Sequence, residues 1–97
     1  TQIKGDSMPT VQDIKIKKPS EQQAEKCRSW PIWQSKPSTF EWAYTEKETC
    51  LVLEGKVTVK DDSGEVTFGP GEMVEFPKGL ECLWQVKEPV KKHYTFG

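Results

Sequence analysis

A single histidine, His93, stands in the 97-residue chain. A site built from several imidazoles is therefore excluded, which removes a common way of holding a transition metal. Cysteine is scarce too. Cys27, Cys50 and Cys82 are odd in number and show no Cys-x-x-Cys spacing. This speaks against a disulfide framework and for free thiols in a reducing compartment. No apolar run approaches the ~18 residues of a membrane span, and no secretory apolar region is visible. Charge of one sign is also missing: 14 Lys and Arg stand against 15 Asp and Glu, a net charge of −1. Neither nucleic acid nor an anionic membrane is an expected partner of such a chain. Its small basic cluster, Lys15, Lys17 and Lys18, reads as a solvated strand end.

What is present is aromatic area. Four Trp and four Phe supply large apolar surface to a core that, at this length, buries only roughly 60–65% of the unfolded chain's surface. The length suits one domain. Thr1 to Ser7 reads as a remnant or disordered N-terminus ahead of a natural start at Met8, with residues 8–97 as the single domain. Val11 to Lys17 alternates and predicts a first strand. Ser20 to Arg28 predicts a short helical segment, because Ser20 and Gln23 have the spacing of a capping box. Trp30-Pro31-Ile32-Trp33 cannot be regular helix and reads as chain packed across one end of a barrel.

From Phe40 onward the pattern is strands and turns. Strands are expected at Phe40–Tyr44, Glu48–Glu54, Lys56–Asp61, Glu65–Phe68, Met73–Pro77, Glu81–Lys87 and Lys91–Phe96. Between them lie Glu54-Gly55, Asp61 to Gly64, Gly69-Pro70-Gly71 and Lys78-Gly79, which carry turn chemistry. Short strands at even spacing indicate an all-β sandwich or barrel. Alternation puts Trp42 with Tyr44 on one face, Glu48 with Cys50 and Val52 on another, and Cys82 with Trp84 and Val86 on a third.

Two spacings narrow the fold. Glu48 is followed by six residues and then Gly55. Gly71 is followed by five residues, then Pro77-Lys78-Gly79, with Cys82 three further on. This double pattern resembles the signature of the cupins, whose usual metal-binding form is Gly, His-x-His, Glu and Gly, then Gly, Pro-x-Gly, His and Asn. On that resemblance the His-x-His places fall on Trp42 and Tyr44, the third His on Cys82, the Asn on Val86, and only Glu48 is kept. Trp30 to Trp33, Phe40-Glu-Trp42, Glu48-Thr-Cys50, Leu53 to Val57, Phe76 to Gly79, Cys82 with Trp84, and Lys92-His-Tyr94 resemble the small single-domain cupins of the Cupin_3 (DUF861) type from bacteria and plants. The resemblance implies a cupin jelly-roll β-barrel with a short N-terminal helical segment, in which the three residue sets above face the interior. It also implies a homodimer, in the cytoplasm of a bacterium or the plastid of a plant.

The expected binding pocket is therefore Trp42, Tyr44, Glu48, Cys50, Cys82 and Trp84. Trp42 has no lone pair to offer a metal, and a phenol at the second place ionises only near ~10. No metal or other cofactor is expected; an altered Zn site from Glu48, Cys82 and His93 is the alternative. Glu48 is the candidate catalytic residue, as general acid or base, against a structural or ligand-orienting role. The cysteines read as small buried hydrophobes, against a reactive Cys82 or a Cys50–Cys82 redox pair. Trp30, Trp33, Trp42 and Trp84 read as core or as the lining of an apolar cavity. The reading that follows is a metal-independent small-molecule-binding barrel. Alternatives are an enzyme on a small nitrogen- or carbohydrate-containing metabolite, using Glu48 with Tyr44 or Cys82, and a scaffold component of a larger assembly such as a plastid nucleoprotein.

Overall fold

The computed structural model describes residues 9–97; the expected boundary at Met8 lies outside them. Two long strands organise the chain. β4 (Glu48–Asp61) and β7 (Glu81–Phe96) run antiparallel along their whole lengths, from Glu48 opposite Phe96 to Lys60 opposite Leu83. Each is flanked by different strands at its two ends. Near Glu48, β4 pairs with β6 (Met73–Phe76), which pairs in turn with β1 (Lys15–Lys17). Near Asp61, β4 pairs with β5 (Gly64–Phe68). Likewise β7 pairs with β3 (Ser38–Ala43) in its first half and with β2 (Ile32–Ser35) in its second. The all-antiparallel sheet therefore has two wings that share the β4–β7 ribbon. Phe68 of one wing meets Phe76 of the other at 5.8 Å, and Trp84 meets Phe76 at 5.7 Å, so the wings close on one interior.

The fold is the expected all-β barrel, but several boundaries move. Glu54-Gly55 is not a turn. The register slips between Val52 and Val57, and β4 continues through a bulge. Gly55 has φ +97°, and a Cβ there would lie 2.6 Å from Val90 Cα, so the ribbon's two strands cross too closely for any side chain. On the facing strand Pro89, which lacks an N–H, sits inside β7 opposite the bulge, where no ladder bond is needed. The segment after Pro31 is strand rather than chain packed across an end. The Tyr94 N–H donates to Pro31 O at 3.0 Å, and Ile32 then pairs with His93. The helix is as expected: α1 (Glu21–Cys27) begins at a Ser20–Gln23 capping box.

Val11 to Lys17 is only partly strand. Val11–Asp13 form a 3-10 turn because Thr10 and Asp13 cap each other, the Thr10 N–H donating to Asp13 at 2.9 Å. That turn is tied to the β4–β5 hairpin, since the Val11 N–H donates to the Asp61 carboxylate at 3.0 Å. Desolvation works to raise the pKa of Asp61. Hydrogen bonds from the Ser63 hydroxyl and the Val11, Ser63 and Gly64 amides outweigh it and hold the carboxyl below its ordinary 3.8. A carboxylate lowered on folding contributes stability that is complete above the unfolded value and is lost as pH falls through the folded one. Asp61→Ala should therefore cost about 1 kcal/mol at pH 7, discounted for solvent exposure, and less once acid has protonated the wild-type group. Urea unfolding at neutral and at acid pH measures the two differences; equal differences would contradict the latch.

Burial follows the alternation. Cys50, Val52, Val57, Val59, Phe68, Val74 and Phe76 are buried between the wings. Among the described residues no helix is long and apolar enough to cross a membrane.

Candidate ligand cavity

At the end of the interior where β2 and β3 lie against β7, a cavity of about 230 Å³ opens to solvent. Its deep wall is aromatic. Phe40 stacks on Trp84 with centroids 5.9 Å apart, and Trp33 meets Trp84 edge-on at 5.9 Å. Its rim is Trp42, 45% exposed, and Phe96, 44% exposed. Tyr44, Glu48, Lys92 and Tyr94 complete the lining.

Tyr44 lies just beyond β3 and is fixed by its backbone. Its N–H donates to Leu80 O at 2.8 Å, and its carbonyl accepts from the Gly79 N–H at 2.7 Å. The ring stacks on Phe76 at 4.9 Å, and the hydroxyl oxygen accepts from Trp84 Nε1 at 3.2 Å. Burial first, then the negative charge of Glu48, pushes the phenol far above its ordinary range. Tyr44 is therefore a protonated hydrogen-bond donor at any physiological pH. No hydrogen bond joins it to another acceptor among the described residues.

Glu48 begins β4 and points inward, with its side chain 4% exposed. Its partner is Lys92, whose Nζ donates to Glu48 Oε2 at 2.6 Å and whose side chain is 6% exposed. The ammonium also lies over three ring faces: Trp84 at 4.7 Å, Trp33 at 5.1 Å and Phe76 at 5.9 Å. An isolated ion in such surroundings would cost several kcal/mol. Here the counter-ion and three quadrupoles, each about 0.5–2 kcal/mol, offset that penalty. The second carboxylate oxygen, Oε1, has no donor among the described residues.

Lys92 is the residue that sequence reasoning missed. Its signal is the phase of β7. Val90, Lys92, Tyr94 and Phe96 share one face, so an inward apolar row contains one lysine. The same phase settles His93. It points to the opposite face, buried, with Nδ1 2.9 Å from Trp30 O. The alternative Zn set of Glu48, Cys82 and His93 is thus not assembled, since adjacent strand residues cannot both face one interior. Among the described residues no three His, Cys, Asp or Glu side chains gather in a way that could hold a metal.

Four of the six expected pocket residues, Trp42, Tyr44, Glu48 and Trp84, reach the cavity, whereas Cys50 and Cys82 do not line it. Cys50 is fully buried beside Val74 and Tyr94 in the ladder. The Cys82 thiol instead lies 3.8 Å from Trp42 O. Burial raises both thiols, Cys50 to about 12 and Cys82 to about 11, and all three cysteines are free. Neither is a nucleophile at neutral pH. Of the four tryptophans, Trp33, Trp42 and Trp84 line the cavity and Trp30 does not.

The Cupin_3 profile, described as the EutQ-like cupin domain, matches residues 22–94. The chain belongs to the EutQ-like cupins. A DUF861 family protein from Thermotoga maritima is 43% identical to this cupin, with a TM-score of 0.83 over 88% of this chain and 100% of that one. The EutQ protein of Clostridium difficile is 25% identical, with a TM-score of 0.62 over 67% of this chain and 52% of its own length. A putative ethanolamine utilization protein Q from Salmonella typhimurium, 23% identical with a TM-score of 0.62, shares the fold, and the cupin spans 53% of it. A search among curated proteins found no match.

The metal that cupins commonly hold does not fit the residues present here. Trp42 has no lone pair, Cys82 does not line the cavity, and Glu48 already holds an internal cation.

Proposed function

We propose that this cupin is a metal-independent small-molecule-binding barrel in which Lys92 stands where a metal would supply positive charge. The observation that carries the reading is the 2.6 Å contact between Lys92 Nζ and Glu48 inside an aromatic cavity. Lys92 neutralises the one carboxylate retained from the family pattern and keeps it unavailable to a divalent ion. What remains is an apolar concavity with a few convergent polar groups, the usual make-up of a ligand site. Catalysis by Glu48 with Tyr44 or Cys82 has less support. Glu48 is held by Lys92, Tyr44 is held protonated, and Cys82 does not line the cavity.

Two measurements on the purified protein test this. Elemental analysis should find no stoichiometric transition metal. A thermal-shift screen over small metabolites should find ligands that raise stability, by about 2.7 kcal/mol at a hundred times their Kd. A bound metal lost on Glu48→Gln would overturn the reading, as would a broad library that shifts nothing.

A further inference from the structure

We infer that the cavity selects an uncharged molecule of about eight non-hydrogen atoms that pairs an N–H donor with a carbonyl acceptor on a flat apolar body. This rests on the reading of the cavity as a ligand site. Size comes from the volume, about 230 Å³, at ~30 Å³ per water-sized group. Charge comes from the lining. Glu48 and Lys92 are the acid–base pair lining the cavity, beside the two phenols, and they sum to zero whether the proton sits on nitrogen or on oxygen. A ligand ion would enter without a counter-charge and lose its hydration among Trp33, Phe40 and Trp84. A neutral ligand carries no such penalty.

The polar complement fixes the pattern. Glu48 Oε1 is a buried acceptor with no donor among the described residues. Tyr44 is the matching donor: its oxygen is occupied by Trp84 Nε1, so its own hydrogen remains to be given. A group offering N–H to Glu48 and C=O to Tyr44 satisfies both, as a carboxamide or lactam does. Stacked Phe40 and Trp84, with Trp33 edge-on beside them, form an aromatic wall that suits a flat apolar remainder.

Benzamide, benzoate and benzamidinium share size and ring and differ in charge. Titrated into the wild-type protein by calorimetry or NMR, benzamide should bind at least tenfold tighter than either ion. Glu48→Gln leaves the ammonium unpaired and should turn the preference to benzoate. Lys92→Met leaves the carboxylate and should turn it to benzamidinium. The double variant Glu48→Gln/Lys92→Met is neutral again and should return to benzamide; it keeps the test decisive if a single variant unfolds. A wild-type preference for either ion, or a preference that ignores the substitutions, overturns the neutral-ligand inference while leaving a binding barrel. So does a metabolite library whose tightest ligands are charged. Silence from all three probes and from the library brings down the cavity reading itself.

Discussion

Lys92→Met lowers stability by about 3–5 kcal/mol, a fall in Tm on the order of 15–30 °C for a domain of this size. The reason is the carboxylate it leaves behind. Glu48 is buried and receives its one side-chain hydrogen bond from Lys92. With the ammonium gone, a buried charged oxygen is left without a partner among the described residues. Glu48→Gln strands the opposite charge and should cost less, because the ammonium keeps its contacts with Trp84, Trp33 and Phe76. The double variant removes both charges at similar volume and should recover most of the loss, since a neutral pair has no desolvation penalty to offset. Chemical denaturation of the four proteins gives the coupling directly. If the two single losses simply add in the double variant, the charges do not depend on each other, and the account of the cavity fails.

Gly55→Ala should be nearly as damaging, at about 3 kcal/mol or more, for a reason confined to the backbone. Two effects combine there. A φ of +97° is strained for any L side chain, worth about 1–3 kcal/mol. The new methyl would also meet Val90 Cα at 2.6 Å, and backbone of the facing strand has nowhere to move without opening the ribbon. Gly71 is the natural control. Its φ is +84°, yet nothing lies within 4 Å of a Cβ built there. Gly71→Ala should show the conformational part alone, about 1–2 kcal/mol. Equal losses at the two glycines, read from urea midpoints, would mean that the crossing of β4 and β7 tolerates a side chain.

The contrast between the two glycines marks how far the chain could be read. In the sequence both are punctuation, and both read as breaks between strands. Gly71 is indeed part of a turn before β6. Gly55 instead lies inside a 14-residue strand, because its freedom is needed for the close approach of Pro89 and Val90, residues more than thirty positions away. Local composition carries no record of such a neighbour. The same limit explains β2. Pro31 rules out helix, but the partner that makes Ile32–Ser35 a strand is β7, at the far end of the chain.

The capping box at Ser20, the alternation of Glu48, Cys50 and Val52, and that of Cys82, Trp84 and Val86 were legible because they depend on near neighbours and on the two-residue period of a strand. From these the sequence by itself determined an all-β fold with a carboxylate at the head of β4, and the spacing of Glu48, Gly55, Pro77 and Gly79 added the resemblance to the cupins. Tertiary structure alone decided what that carboxylate faces. Lys92, 44 residues away, enters the interior and His93 does not. That choice follows from which face of β7 the closing wings enclose, and a period of two gives the phase of a strand without its direction.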